Sequence, residues 1–201
     1  MIEDTSKWES VVSDKNINCY KKSVEGQSSM VVKCVSEIEG FSSNEIFNAI
    51  YDLKLRMSWD KVFREFKVVR QAQNIDDNEM PEILYMSLES PVFFIKNRDW
   101  VQQRKAWKKT PNENTFILHF KSVELDDVPE TSKCVRAHTY ISGYFVTKIS
   151  ESKSLLIIIA MNDIKGSIPK WLVNRESAKA PKKWVENLKK GMEKIRNDAK
   201  K

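Results

Sequence analysis

Extended patterns dominate this chain. The segment Met30-Val-Val-Lys-Cys-Val-Ser-Glu-Ile reads as a strand, with a weaker one over Cys19 to Lys22. A series of strand signals follows over Val62 to Arg70, Ile83 to Leu88, Arg98 to Lys108, Phe116 to Val123, Cys134 to Ile149 and Leu155 to Met161. Turn-rich segments such as Asn74-Ile-Asp-Asp-Asn and Thr110-Pro-Asn-Glu-Asn separate them. Strands that succeed one another without intervening helices predict an antiparallel sheet. Two stretches have the helical period instead. Ser42 with Glu45 three residues on is a capping box, followed by an apolar face of Ile46, Phe47, Ile50 and Leu53. Pro169 opens a final helix reaching about to Asp198, in which Leu172 and Val173 begin an apolar side. Val185, Leu188, Met192 and Ile195 continue it, and Pro181 predicts a break or kink. Trp8 to Val12 is expected to be a short helix or lead-in. The whole predicts an α+β protein, a curved antiparallel sheet closed by one long C-terminal helix, over a single domain of residues 1–201.

The polar positions inside the strands carry information of their own. One face of 98–104 holds Arg98, Trp100, Gln102 and Arg104; one face of 136–144 holds Arg136, His138, Tyr140, Ser142 and Tyr144. Two environments are open to them: solvent on the outer face of an antiparallel sheet, or the wall of a cavity shaped for a ligand with a polar head.

Composition narrows the function classes. The 201 residues are 41% apolar and 31% charged, with 9 Phe, 6 Trp and 5 Tyr, so a packed core is within reach and disorder is excluded. The longest apolar run, Leu155 to Met161, is far short of the ~20 residues a membrane-spanning helix needs. The first residues, Met1-Ile-Glu-Asp-Thr-Ser-Lys, lack the apolar stretch of a signal peptide, although an upstream extension is compatible with them. Cys19, Cys34 and Cys134 are odd in number and far apart, which predicts free thiols in a reducing compartment and no zinc site. The net charge of +6 is concentrated: residues 169–201 carry eleven Lys and Arg against four Asp and Glu. Any anionic partner is expected to meet that stretch.

Arg56-Met-Ser-Trp59-Asp60, Asn97-Arg98-Asp99-Trp100-Val101, Val135-Arg136-Ala137 and Asp163-Ile-Lys-Gly166-Ser-Ile168-Pro169-Lys-Trp171-Leu172-Val173-Asn174 occur in this order. Together they resemble the START (steroidogenic-acute-regulatory-related lipid transfer) domain, most of all its phosphatidylcholine-transfer type. The resemblance implies a helix-grip fold whose sheet wraps the C-terminal helix around an internal lipid tunnel. It also implies that Arg56 and Asp60, of an RxxWD motif, hold the head group, with Arg136 among the ligand contacts. A guanidinium grips phosphate with two parallel hydrogen bonds; an i,i+4 ion pair is the plain structural alternative. Three aromatic positions of such relatives surround choline and fall here on Met86, Trp100 and Tyr140. Met86 lacks the quadrupole that attracts a quaternary ammonium, which opens the site to ethanolamine or other head groups. In the loop before the last helix, Lys165 stands where relatives have the first of two glycines.

A carrier follows from the energetics of lipid in water. A diacyl lipid exposes about 30 methylene groups at about 0.8 kcal/mol each, so desorption costs on the order of 20 kcal/mol. Direct transfer from bilayer to tunnel needs a gate. Ser90-Pro-Val-Phe93-Phe94-Ile95-Lys-Asn97 supplies the candidate, with Phe93, Phe94 and Ile95 entering the interface and Lys182, Lys183, Lys189 and Lys190 meeting anionic lipid. The same run reads alternatively as a buried, continuing strand. The expected function is intracellular phospholipid transfer by a monomer, cytoplasmic and peripheral at membranes. No cofactor, metal, nucleic acid or catalysis is expected. The rivals are a lipid-gated sensor or scaffold and a helix-grip enzyme. For the enzyme, GxSxG, HExxH and P-loop motifs are missing, leaving only His138 with Tyr140 or Asp99 as an acid–base candidate.

Overall fold

The structure is a computed structural model describing residues 8–27, 29–72, 81–90, 92–168 and 170–199, with the backbone alone over 170–179. Ten strands are present among these residues: β1 (Glu9–Asp14), β2 (Ile17–Ser23), β3 (Met30–Glu39), β4 (Phe63–Arg70), β5 (Glu82–Leu88), β6 (Asn97–Lys108), β7 (Thr115–Ser122), β8 (Cys134–Arg136), β9 (His138–Ser150) and β10 (Lys153–Asp163). Nine of them form one antiparallel sheet in the order β1-β2-β3-β10-β9-β7-β6-β5-β4, and β8 adds to β6 in parallel. The helices are α1 (Ser43–Tyr51), α2 (Leu53–Trp59) and α3 (Lys170–Asp198), and all three lie against one face of the sheet. This is the antiparallel sheet closed by a long C-terminal helix that the strand and helix periods predict, and the helix-grip arrangement that the resemblance implies.

Local rules hold where the interactions are local. The Ser42 backbone N–H donates to Glu45 Oε2 at 2.9 Å and Glu45 N–H donates to Ser42 Oγ at 3.3 Å, the reciprocal cap expected at α1. Val185, Leu188 and Met192 are buried and Ile195 is half-buried against the same core. Three expectations change. Glu9–Asp14 is a strand paired with β2 rather than a helical lead-in, because its Val11 and Val12 find an edge to extend. Helix α3 continues through Pro181 without interruption. The strand expected over Cys134 to Ile149 divides at Ala137, whose N–H donates to Asp99 O at 2.9 Å, so that β8 pairs with β6 and β9 with β7 and β10.

Helix α2 was not signalled by periodicity. Asp52 both ends α1 and caps α2, its Oδ1 accepting from Leu55 N–H at 2.9 Å. Trp59 Nε1 donates to Ala49 O at 3.0 Å and ties the two helices together. Cys19 and Cys34 face each other across β2 and β3 and are buried in the core.

Candidate lipid-binding site

The helix-facing side of the sheet follows from register. Phe63 pairs with Leu88 and Leu88 with Arg98; Phe66 pairs with Met86 and Met86 with Trp100; Val68 pairs with Leu84 and Leu84 with Gln102. Paired residues share a face, so Arg98, Trp100, Gln102 and Arg104 stand with apolar neighbours on the concave side. All four are buried. The solvent-facing alternative for this strand is thereby overturned: all four side chains are out of water, and Arg104 reaches the end of α1 at Tyr51 O.

Each buried polar group on this face has a particular partner set. Arg56 Nε donates to Asp60 Oδ2 at 2.8 Å, Nη2 lies 2.7 Å from the same oxygen in the ion pair, and Trp184 Nε1 donates to it at 3.0 Å. The Arg56 guanidinium carbon lies 4.8 Å from the Trp59 ring centroid, 4.9 Å from Trp184, 5.4 Å from Phe63 and 6.0 Å from Tyr144. The i,i+4 ion pair of the RxxWD segment is therefore formed, inside an aromatic enclosure. Further along, Arg104 Nε donates to Glu82 Oε2 at 2.7 Å, its Nη2 bonds the same oxygen, and its Nη1 donates to Tyr51 O at 2.6 Å. Gln71 supplies a bond to the other Glu82 oxygen at 3.1 Å. Gln102 Nε2 donates to Thr139 Oγ1, which donates to Asn162 Oδ1, both at 2.6 Å. Position 98–104 was recognisable as unusual from sequence; Glu82 and Trp184 were not, because nothing local marks their partners.

Met86 and Trp100 are neighbours on this face. The other two ligand candidates are placed elsewhere. Tyr140 is 37% exposed, sits where the β9–β10 register slips, and packs edge-on against His138 with centroids 4.7 Å apart. Arg136 pairs in register with Asp99, on the opposite face from Trp100. Its Nε and Nη2 donate to the two Asp99 carboxylate oxygens, each at 3.1 Å, and it also bonds the carbonyls of Val128 and Pro129. The alternation that grouped Arg136 with Tyr140 fails because the strand breaks at Ala137 and slips at Tyr140.

The gate segment is a turn, not a continuing strand. Ile95 N–H donates to Val92 O at 3.0 Å, and Asn97 Oδ1 accepts from Ser90 N–H at 2.9 Å. Phe93 is fully exposed, Phe94 is 77% exposed and Ile95 is half-buried. Arg98, just beyond it, donates from Nη1 to Lys96 O at 2.5 Å, from Nε to Ile164 O at 3.0 Å and from Nη2 to Lys165 O at 2.8 Å. One guanidinium thus joins the gate turn to the segment leading into α3.

The lysines of α3 are not beside this turn. Lys182 Nζ bonds Asp14 Oδ2 at 2.6 Å, and Lys189 Nζ donates to Glu37 O at 3.4 Å. Glu37 is six residues along β3 from Val31, the partner of Met161 near the gate, or about 20 Å at 3.3 Å per residue. Lys183 and Lys190 are exposed on the same helical stretch. Lys96, two residues beyond Phe94, and Lys165 are exposed, and their backbone carbonyls share the Arg98 guanidinium.

Comparison with known proteins agrees with this geometry. The START domain family model matches residues 1–194. START domain-containing protein 10 of Mus musculus is 27% identical over 172 residues, covering 85% of this chain and 56% of that protein. Acetyl-coenzyme A thioesterase of Mus musculus is 26% identical over 189 residues, 90% of this chain and 32% of that protein, and ceramide transfer protein of Mus musculus is 27% identical over 150 residues, 71% and 23%. The crystal structure of human STARD10 superposes with a TM-score of 0.85 at 22% identity, covering 98% of this chain and 77% of that one. The chain spans about half the length of START domain-containing protein 10, and less of the other two relatives. It belongs to the START domain family.

Proposed function

We propose that this domain takes up one phospholipid, of the phosphatidylcholine type, in a tunnel between the concave face of its sheet and α3, and carries it between membranes. The observation that carries the reading is the pair of exposed phenylalanines, Phe93 and Phe94, on a turn that Arg98 ties to the start of the closing helix. Two large apolar side chains held in water on a tight turn are an interfacial feature. With Phe93, Phe94 and Ile95 inserted, Lys96 and Lys165 meet anionic head groups at about 1 kcal/mol each. Freed from its carbonyls, Arg98 would let the turn and the α3 entry part for the chains to pass.

Inside, Phe63, Phe66, Met86 and Trp100 form a continuous wall from Arg56 and Asp60 across β4, β5 and β6. A diacyl chain pair against such a wall is removed from water without a free intermediate, which is what the cost of desorption demands. The domain works as a monomer peripheral to the membrane, and as a carrier rather than a catalyst. Asp99, one of the two partners considered for His138, is committed to Arg136. Transfer of a fluorescent phosphatidylcholine between liposomes tests the reading. The Phe93→Ser/Phe94→Ser double variant is expected to bind lipid in detergent and to lose most of its transfer rate. Unchanged transfer removes the gate.

A further inference from the structure

Among the described side chains of α3, only Trp184 reaches the Arg56–Asp60 pair. Its Nε1 donates at 3.0 Å to Asp60 Oδ2, the oxygen that also accepts from Arg56 Nε, and its ring lies 4.9 Å from the guanidinium carbon. That ring is held from two sides, edge-on by Trp59 of α2 and tilted against Tyr144 of β9, with both centroids 5.4 Å away. Gly191, two helical turns further along α3, lies against the same Trp59. The indole N–H therefore reaches Asp60 only while α3 is seated on α2, since a displacement of about 1 Å breaks a hydrogen bond of this length.

A second observation concerns the other edge of Arg56. Nε and Nη2 are turned to Asp60, while Nη1 bonds nothing among the described residues. Trp100 Nε1 is the only sealed side-chain nitrogen or oxygen there without a partner, so Arg56 Nη1 borders open space although the residue is buried. Two N–H groups of a buried guanidinium that face open space are donors for an anion. The Asp60 carboxylate, on the opposite edge, repels that anion. An indole N–H on the carboxylate offsets part of its field and leaves more of the Arg56 charge to the free edge.

We infer that Trp184 is a positioning residue of the head-group site: its indole N–H, carried to Asp60 by the seated α3, readies Arg56 for phosphate, so that head-group binding and closure of α3 favour one another. The inference rests on the phospholipid reading above and adds to it a link between the anion site and the closing helix. The link is reciprocal. Whatever seats α3 tightens the hold on phosphate, and phosphate on Arg56 holds α3 in place by the same factor. A lipid without phosphate fills the tunnel but leaves the link unused.

The test uses Trp184→Phe, which keeps a ring between Trp59 and Tyr144 and removes the N–H, with affinities measured for phosphatidylcholine and for diacylglycerol of identical chains. The expected result is a loss of about tenfold for phosphatidylcholine with diacylglycerol unaffected. A tryptophan that only packs would weaken both lipids alike; that result, or unchanged affinity for phosphatidylcholine, overturns the assignment while leaving the carrier reading in place. Failure of the wild type to bind phosphatidylcholine overturns both. A second measurement needs no variant. Amide hydrogen exchange over 184–192 in the wild type is expected to slow more with phosphatidylcholine than with diacylglycerol. Equal slowing by the two lipids overturns the link.

Discussion

Gly191 of α3 lies against Trp59 of α2 so closely that a β-carbon at Gly191 would stand 2.2 Å from Trp59 Cβ and 2.5 Å from its Cγ. Glycine inside a helix ordinarily costs about 1 kcal/mol relative to alanine. Here the missing side chain is what lets the closing helix reach the helix that carries Arg56 and Asp60.

Gly191→Ala therefore inverts the usual sign. Helix propensity gains about 1 kcal/mol, but overpacking against a tryptophan costs typically 1–3 kcal/mol and displaces α3 from α2. Net destabilisation of up to about 2 kcal/mol is expected from urea unfolding. A gain in stability would show that α3 moves aside freely.

Gly166 stands in the left-handed region at φ +73°, and a β-carbon there would meet Arg98 Nη2 at 3.0 Å. Gly166→Ala should cost about 1 kcal/mol from the backbone alone. It should also loosen the Arg98 bonds to Ile164 and Lys165, read as faster amide exchange over 164–168 and as altered lipid transfer.

The Arg56–Asp60 pair gives a non-additive prediction. Arg56→Met leaves a buried carboxylate without its cation, at a cost of about 3 kcal/mol or more. Adding Asp60→Asn removes that charge while keeping an oxygen to accept from Trp184. The double variant is expected to be more stable than Arg56→Met in chemical denaturation; a double variant that is worse than the sum of the singles would contradict the pair's isolation.

Asp14 and Lys182 join the β1–β2 turn to α3. The side-chain hydrogen bond from Lys182 holds the Asp14 carboxyl below its ordinary value of 3.8, helped by the Lys15 backbone N–H and the Lys182 charge. The hydrogen bond to Asp14 conversely holds Lys182 above 10.5. Since the folded Asp14 pKa is depressed, its stabilising effect is complete above the unfolded value and fades as pH falls through the folded one. Lys182→Ala should raise the Asp14 midpoint in a carboxyl-carbon NMR titration. No movement would mean that the pair does not form in solution.

Much of the architecture was legible because it rests on local interactions. The Ser42–Glu45 cap, the Val185–Leu188–Met192 stripe and the alternating strands all depend on spacings of two to four residues. The placement of Arg136 was not legible, since strand alternation holds only while a strand continues, and Ala137 breaks it. How far the α3 lysines stand from the gate turn was not legible either. Sequence order puts them just after the gate-side loop, but a helix rising about 1.5 Å per residue carries them to the far end of the sheet.

The amino-acid sequence on its own determined the fold class, the family motifs and a strand with polar residues on a face that had to be either wet or lined for a ligand. Tertiary structure alone decided which: it neutralised Arg56 with Asp60 and Arg104 with Glu82, and left Arg98 without a carboxylate and Trp100 without an acceptor. Partners distant in sequence meet only through register and topology, and the cost of burying a polar group depends on who those partners are.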